Sequence, residues 1–299
     1  MAFETVDELR ADVLWLAGEP GDGSSDFHER AVDYLNAALD AVISGGPLGG
    51  AVLPIVDWLW ARRTGFLTIQ PAFESQALLA KGLALAIGVP DTSTVGYRLR
   101  FSNPSAGPFS PRVLSITETG FVMDSAWPGR PDGSLAAVVS DYRATKEYYS
   151  LPSDLVRLVS RPEDRFSRAF LDVGTEADRD PDSPPSRAAL VDQTTLQIVG
   201  SAPEARVYEF WYTAQPTPLA DGGSDPVVPL RHRRLLSYGA AYLILLDKKD
   251  DASATVYQQF ASQWDAMERD QHRNFRNASS RYGRLVSSAP GAWRTGMRW

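Results

Sequence analysis

Residues 230–246 constrain this chain more than any other stretch. Leu235, Leu236, Tyr238, Ala240, Ala241, Tyr242, Leu243, Ile244, Leu245 and Leu246 run most of the way round a helical wheel. A helix that is apolar on every side has to be buried on every side. The uncharged run 235–246 is shorter than the ~18–20 apolar residues a bilayer crossing needs. It is therefore expected to be a core helix that other segments cover. It stops at Asp247-Lys248-Lys249-Asp250-Asp251, a charged turn in which Asp250 or Asp251 can accept from the free N–H groups of a following helix. That helix is expected over 252–276, with Val256, Phe260, Trp264 and Met267 on one face and Gln258, Gln263, Asp265, Arg269 and Asp270 on the other. Two helices joined by so short a turn make an antiparallel hairpin.

The covering segments come from the opposite end of the chain. Thr5-Val6-Asp7-Glu8 fits a capping box, and Val6, Leu9, Val13 and Leu16 mark one helical face. A second helix is expected over 26–44, closed by Gly45-Gly46, and a short third over 53–62 containing Trp58 and Trp60. Gly45-Gly46-Pro47-Leu48-Gly49-Gly50 lacks the Gly-Lys-Ser/Thr ending of a phosphate loop and reads as a flexible connection.

From residue 64 prolines and glycines become frequent and apolar runs short. Strands are expected over 66–70, 82–87, 97–101, 112–117, 120–124 and 136–139. Residues 146–160 read as extended chain, 174–186 as a loop, and 188–191, 195–199 and 206–212 as a β-meander. The resulting division is 1–63 for the N-terminal helices, 64–145 for a β-rich insertion, 146–228 for extended strands and meander, 229–276 for the C-terminal helical hairpin, and 277–299 for a basic tail. The expected fold is α+β, a helical bundle from the N- and C-terminal helices with an inserted β-rich module.

Little chemistry is signalled. The three histidines, His28, His232 and His272, lack metal-ligand spacing. The absence of cysteine removes disulfides and thiolate catalysis. Asp22-Gly23-Ser24-Ser25-Asp26 lacks the twelfth-position glutamate of an EF-hand. No Gly-x-Ser-x-Gly elbow is present. No enzyme, catalytic residue, cofactor or metal is expected. A net charge of −7 argues against a protein that coats DNA. The N-terminus has no basic region followed by an apolar run, so no signal peptide is expected.

One cluster asks for a partner. Arg231-His232-Arg233-Arg234 opens the apolar helix, where cations oppose the helix dipole. A carboxylate from this chain or from another subunit would answer it. The tail carries Trp293, Arg294, Arg298 and Trp299 and no acidic side chain, which suits a segment that orders against a partner.

Three stretches together resemble the head-to-tail adaptor (connector, or neck) proteins of tailed bacteriophages. The first runs from Thr5-Val6-Asp7-Glu8-Leu9 to Asp33-Tyr34-Leu35-Asn36-Ala37-Ala38. The second is Tyr149-Ser150-Leu151-Pro152-Ser153-Asp154-Leu155-Val156-Arg157-Leu158. The third begins at Tyr208-Glu209-Phe210-Trp211-Tyr212, passes the proline-rich bend 215–230 and ends at Leu245-Leu246-Asp247-Lys248-Lys249-Asp250-Asp251. The resemblance implies a non-enzymatic virion protein made in the host cytoplasm and placed in the neck of the particle. It implies a homo-oligomeric ring of about twelve subunits. Such a ring would bind the portal protein on one side and downstream neck or tail proteins on the other, with genomic DNA passing through the channel and no membrane contact. Arg231, His232, Arg233, Arg234, Trp293, Arg294, Arg298 and Trp299 are the expected partner-binding residues. A tail-completion or stopper protein, a tail tube protein, and a carbohydrate-binding or decoration module are the alternatives.

Overall fold

The computed structural model describes residues 5–20, 25–80, 83–86, 95–107, 109–118, 120–134, 136–178, 183–200, 202, 204–220 and 226–282, with the side chains of 83–86 and 274–282 outside the description. The chain divides into two compact units, residues 1–62 with 215–299, and residues 63–214.

The first unit contains α1 (Val6–Leu16), α2 (Asp26–Ser44), the two-stranded hairpin β1 (Pro47–Leu48) and β2 (Ala51–Val52), and later α3 (Arg234–Asp247) and α4 (Ala252–Tyr282). α3 packs against α1, α2 and α4, and Leu235, Leu236, Ala240, Ala241 and Ile244 have no measurable exposure. The local signals act as read. The Thr5 hydroxyl accepts from the Glu8 N–H at 3.2 Å while the Glu8 carboxylate reaches back to the Thr5 N–H. Ser25 caps α2, and Gly45 closes it in the left-handed region at φ 71°. The Asp250 carboxylate accepts from the Ala252 N–H at 2.8 Å and so starts α4. Gly239 permits the close approach of α3 to its neighbours, because a Cβ there would lie 2.9 Å from that of Ala38 and 3.3 Å from the Phe260 ring.

Three readings of this unit change. Residues 53–62 form no third helix: only a 3-10 turn, Leu59–Ala61, precedes a strand. The glycine-rich segment is no flexible connection, because Pro47 pairs with Val52 and Leu48 with Ala51, and Leu48 is fully buried. α4 runs six residues past its expected end, to Tyr282.

The second unit holds β3 (Arg62–Ile69), β4 (Phe73–Ala80), β5 (Leu83–Ala86), β6 (Tyr97–Phe101), β7 (Val113–Ile116), β8 (Phe121–Met123), β9 (Val138–Lys146), β10 (Tyr148–Ser150), β11 (Leu155–Leu158), β12 (Glu163–Asp164), β13 (Asp172–Gly174), β14 (Arg187–Asp192), β15 (Thr195–Ile198) and β16 (Arg206–Ala214). A six-stranded sheet has the order β6–β9–β4–β5–β8–β7. A four-stranded sheet has the order β10–β15–β14–β13, with β13 parallel to β14. A third sheet, β11–β16–β12, is joined by β3, which also pairs with β16.

Two apolar clusters result. One gathers Leu67, Ile69, Tyr149, Leu171, Leu196 and Phe210, and the other Leu79, Leu99, Val113, Phe121, Trp127 and Tyr142. Alternation builds both, as in β9, where Val138, Ser140 and Tyr142 point inward between exposed or half-buried neighbours.

These observations overturn the expected helical bundle with an inserted β-rich module. Among the described residues there are sixteen strands and four α-helices. The helices at the chain's two ends do not form a bundle around an insert, because the strands are the larger part of the protein and carry their own cores. Residues 146–160, read as extended chain, contain β10 and β11, which pair with β15 and β16. β4 and the greater part of β9 went unread, and β16 belongs to a different sheet from β14 and β15, so 188–212 is no meander. Such pairings join residues far apart in the chain, as Phe73 with Ala144 and Leu155 with Ala214, and periodicity inside one strand carries no information about its neighbour.

Candidate functional site

Pro229 leads into a 3-10 turn, Leu230–His232, which feeds α3. The four potential cations here are answered from within the unit. Arg231 Nη1 lies 3.2 Å from Asp270 Oδ2 on α4, and His232 Nε2 lies 3.1 Å from the same oxygen. Arg233 Nε donates to the Val228 carbonyl at 3.1 Å. Arg234 Nη2 sits 3.4 Å from Asp12 Oδ1 on α1, with its guanidinium 5.3 Å from the centre of the Tyr238 ring.

Exposure separates the four. The side chain of His232 is 8% exposed, whereas that of Arg231 is 59% exposed. His232 and Arg233 are buried, and Arg234 is half-buried. Burial pushes the His232 pKa down, the adjacent Arg231 charge adds to this, and Asp270 pulls the other way. The imidazole is therefore neutral near pH 7. Its Nε2 makes no hydrogen bond of good geometry, so Asp270 is close to it but off the N–H direction.

The neighbouring turn is fastened to the same part of α4. The Gln271 side-chain amide donates to the Asp57 carbonyl at 2.8 Å and accepts from the Leu59 N–H at 2.9 Å. Consecutive α4 residues thus clamp two turns, 57–61 and 229–232. Between the turns is a cleft of about 140 Å³ walled by Leu59, Trp60, Pro229, His232, Met267 and Asp270. Trp58 is core, with no exposure, its Nε1 donating to the Val42 carbonyl at 2.7 Å and its ring edge-on to Trp264 at 5.1 Å. Trp60 stacks on Trp58 at 5.9 Å, but its own Nε1 is buried without a hydrogen-bond partner among the described residues. Buried N–H groups are nearly always paired, so Trp60 Nε1 is a donor in the cleft wall that lacks an acceptor among the described residues.

Sequence reasoning singled out Arg231–Arg234 and placed Trp58 and Trp60 together in one short helix. It had no means to separate the two tryptophans or to select Asp270 among the polar residues of α4. Trp293, Arg294, Arg298 and Trp299 lie outside the described residues. His272 is exposed and lies 3.7 Å from Glu268 one turn back.

The strand unit carries a second, polar cleft of about 380 Å³ on the outer face of its six-stranded sheet. Its charges are matched across strands: Glu74 is the register partner of Arg143, and Gln76 donates to Asp141 at 2.7 Å. Among the described residues no group of three or more metal-ligating side chains comes together. No described helix is long and apolar enough to cross a membrane.

No curated protein matches the chain. The family model described as SU10 adaptor protein matches residues 124–284. That range runs from the end of β8 through α4 and includes the cluster at 231–234, Asp270 and Gln271. Of the three stretches that resemble phage adaptors, 149–158 and 208–251 fall inside it and 5–38 outside it. The family is a phage structural class and not an enzyme class, and it implies a place in the virion. Because the match covers more than half of the chain, this protein belongs to the SU10 adaptor protein family.

Proposed function

We propose that copies of this chain form a ring that joins the portal of a tailed-phage capsid to the tail, with the genome passing through its centre. The observation that carries the reading is the family match over 124–284. Several features support it. The net charge of −7 suits a lumen that need not retain DNA if acidic groups face inward. The exposure of Arg231, the most exposed of the helix-opening cations, is consistent with a contact to another protein. The sequence beyond α4 carries Arg284, Arg294 and Arg298 with Trp293 and Trp299 and no acid, the residue types that dominate binding hot spots.

The test is the native mass of the full chain alone and mixed with portal protein. The expected result is a closed oligomer, or a complex with portal in a fixed ratio. Removing residues 283–299 is expected to weaken portal binding about tenfold or more while circular dichroism stays unchanged. A protein that remains monomeric, ignores portal and binds a glycan overturns the reading.

A further inference from the structure

The cleft at Trp60 and Arg231 has its complement elsewhere on the same unit. Residues 1–62 carry eleven acidic side chains against three basic ones. Three of the acids, Asp26, Glu29 and Asp33, are exposed on α2. Their spacing places them on one face of that helix. Among the described residues none of the three has an ion pair.

The position of this stripe is set by Tyr34, whose hydroxyl donates to Asp247 at the last residue of α3. The cleft lies at the other end of α3, because His232 and Arg231 immediately precede its first turn. α3 has 14 residues, which separates its ends by roughly 20 Å. The stripe therefore cannot fill the cleft of its own chain.

We infer that the Trp60–Arg231 cleft receives a carboxylate from the α2 stripe of a second copy, in a head-to-tail contact between neighbouring subunits. The inference rests on the ring reading and supplies its contact. A patch and its complement at opposite ends of one molecule generate a heterologous interface, the kind that closes into a ring when the rotation allows. The incoming carboxylate accepts from Trp60 Nε1–H, which has no hydrogen-bond partner among the described residues. It also accepts from N–H groups of the Arg231 guanidinium that do not face Asp270. Asp270 holds Arg231 in place by their 3.2 Å contact. Leu59 and Leu230, exposed by 38% and 42%, supply apolar surface beside the charge, and water excluded there strengthens the pairing.

The test measures assembly of the full-length chain by sedimentation across a concentration series at low salt. Arg231→Glu is expected to weaken assembly about tenfold or more, and Glu29→Arg with Asp33→Arg to do the same. A chain carrying all three substitutions is expected to regain assembly, because the reversed charges again attract. Trp60→Phe keeps the stacked ring and removes only the N–H, and is expected to weaken assembly several-fold. Circular dichroism of each variant checks the fold, and Trp60→Phe and the α2 variant test the contact even if Arg231→Glu disturbs the turn. Wild-type protein that assembles while both charge reversals leave assembly unaltered, or a triple variant that stays dissociated, overturns this contact and leaves the ring reading standing. Wild-type protein that is monomeric at every concentration overturns both.

Discussion

In the helical unit one segment, α3, is enclosed by α1, α2 and α4, whereas the strand unit gathers two apolar clusters from strands far apart in the chain. Polar anchoring differs as well. The helical unit is tied by side chains at helix ends, such as Lys248, which donates to the Ala17 carbonyl at 2.9 Å and pairs with Glu19 at 2.8 Å. The strand unit buries whole carboxylates. Asp164 has no exposure, accepts from the Phe166 N–H at 3.0 Å and from Ser167 Oγ at 2.5 Å, and faces Arg206 at 3.1 Å. Glu147, 4% exposed, takes Arg98 at 2.9 Å. Long-range strand pairing has no covalent shortcut, so a buried charge that accepts only one arrangement of partners can specify register where apolar contact alone tolerates slippage.

The largest effect that can break this contrast is expected from Trp58→Ala. It removes the ring between Trp60 and Trp264 together with a buried hydrogen bond. The expected loss is about 4 kcal/mol in denaturant unfolding. Hydrogen exchange should rise in α2, α3 and α4 and stay low in β9 and β16. Equal loosening of both units would mean that they unfold as a single block.

A somewhat smaller effect is expected in the other unit. Asp164→Asn leaves Arg206 facing a neutral group and is expected to cost about 3 kcal/mol, with faster exchange in β12 and β16. The same carboxylate supplies a pH test. Burial works against its ionisation, but the hydrogen bonds from Ser167 and Phe166 and the charge of Arg206 outweigh this, so its pKa is held below the usual carboxylate range. A depressed folded-state pKa stabilises above the unfolded value of about 3.9 and is lost as pH falls through the folded value. Wild-type stability should therefore fall on acidification below about pH 4, and Asp164→Asn should flatten that fall. His232 gives the helical unit a different window. Its lowered pKa keeps the folded state neutral, so stability is present above about pH 6.5 and declines below it as the unfolded chain takes up the proton. His232→Gln should remove that decline.

The smallest effect is expected from Thr5→Ala, which opens the capping box of α1. A loss of about 1 kcal/mol, confined in hydrogen exchange to the first turns of α1, would sharpen the view that helix ends in this unit are locally specified. An effect spread over α3 would blur it.

Legibility followed the same division. The burial of α3, the α1 capping box, the Asp250 cap and the apolar face of α4 could all be read, because each depends on residues a few positions apart. The end of α4 was missed because the apolar face was followed only as far as Met267, and Gly283, a residue type that often follows a helix, was not weighed as the stop. Residues 53–62 were misread because Trp58 and Trp60 were counted as helix-forming, whereas their tertiary roles, a core ring and a cleft wall, set the local backbone. The arginine cluster was visible as a chemical demand, but not the residues that meet it: Asp270 and Asp12 lie 39 and 222 positions from their partners Arg231 and Arg234.

Sequence alone determined which segment must be enclosed and how its helices start, because a helix closes its hydrogen bonds and lines up its faces within a turn or two. Tertiary structure alone decided that β3 joins β16, that Asp164 is a sealed anchor while Asp154 stays partly exposed, and that Trp60 and Arg231 share one cleft. Those outcomes depend on which distant strands and turns meet, and that choice is made by packing and chain closure after the local elements exist.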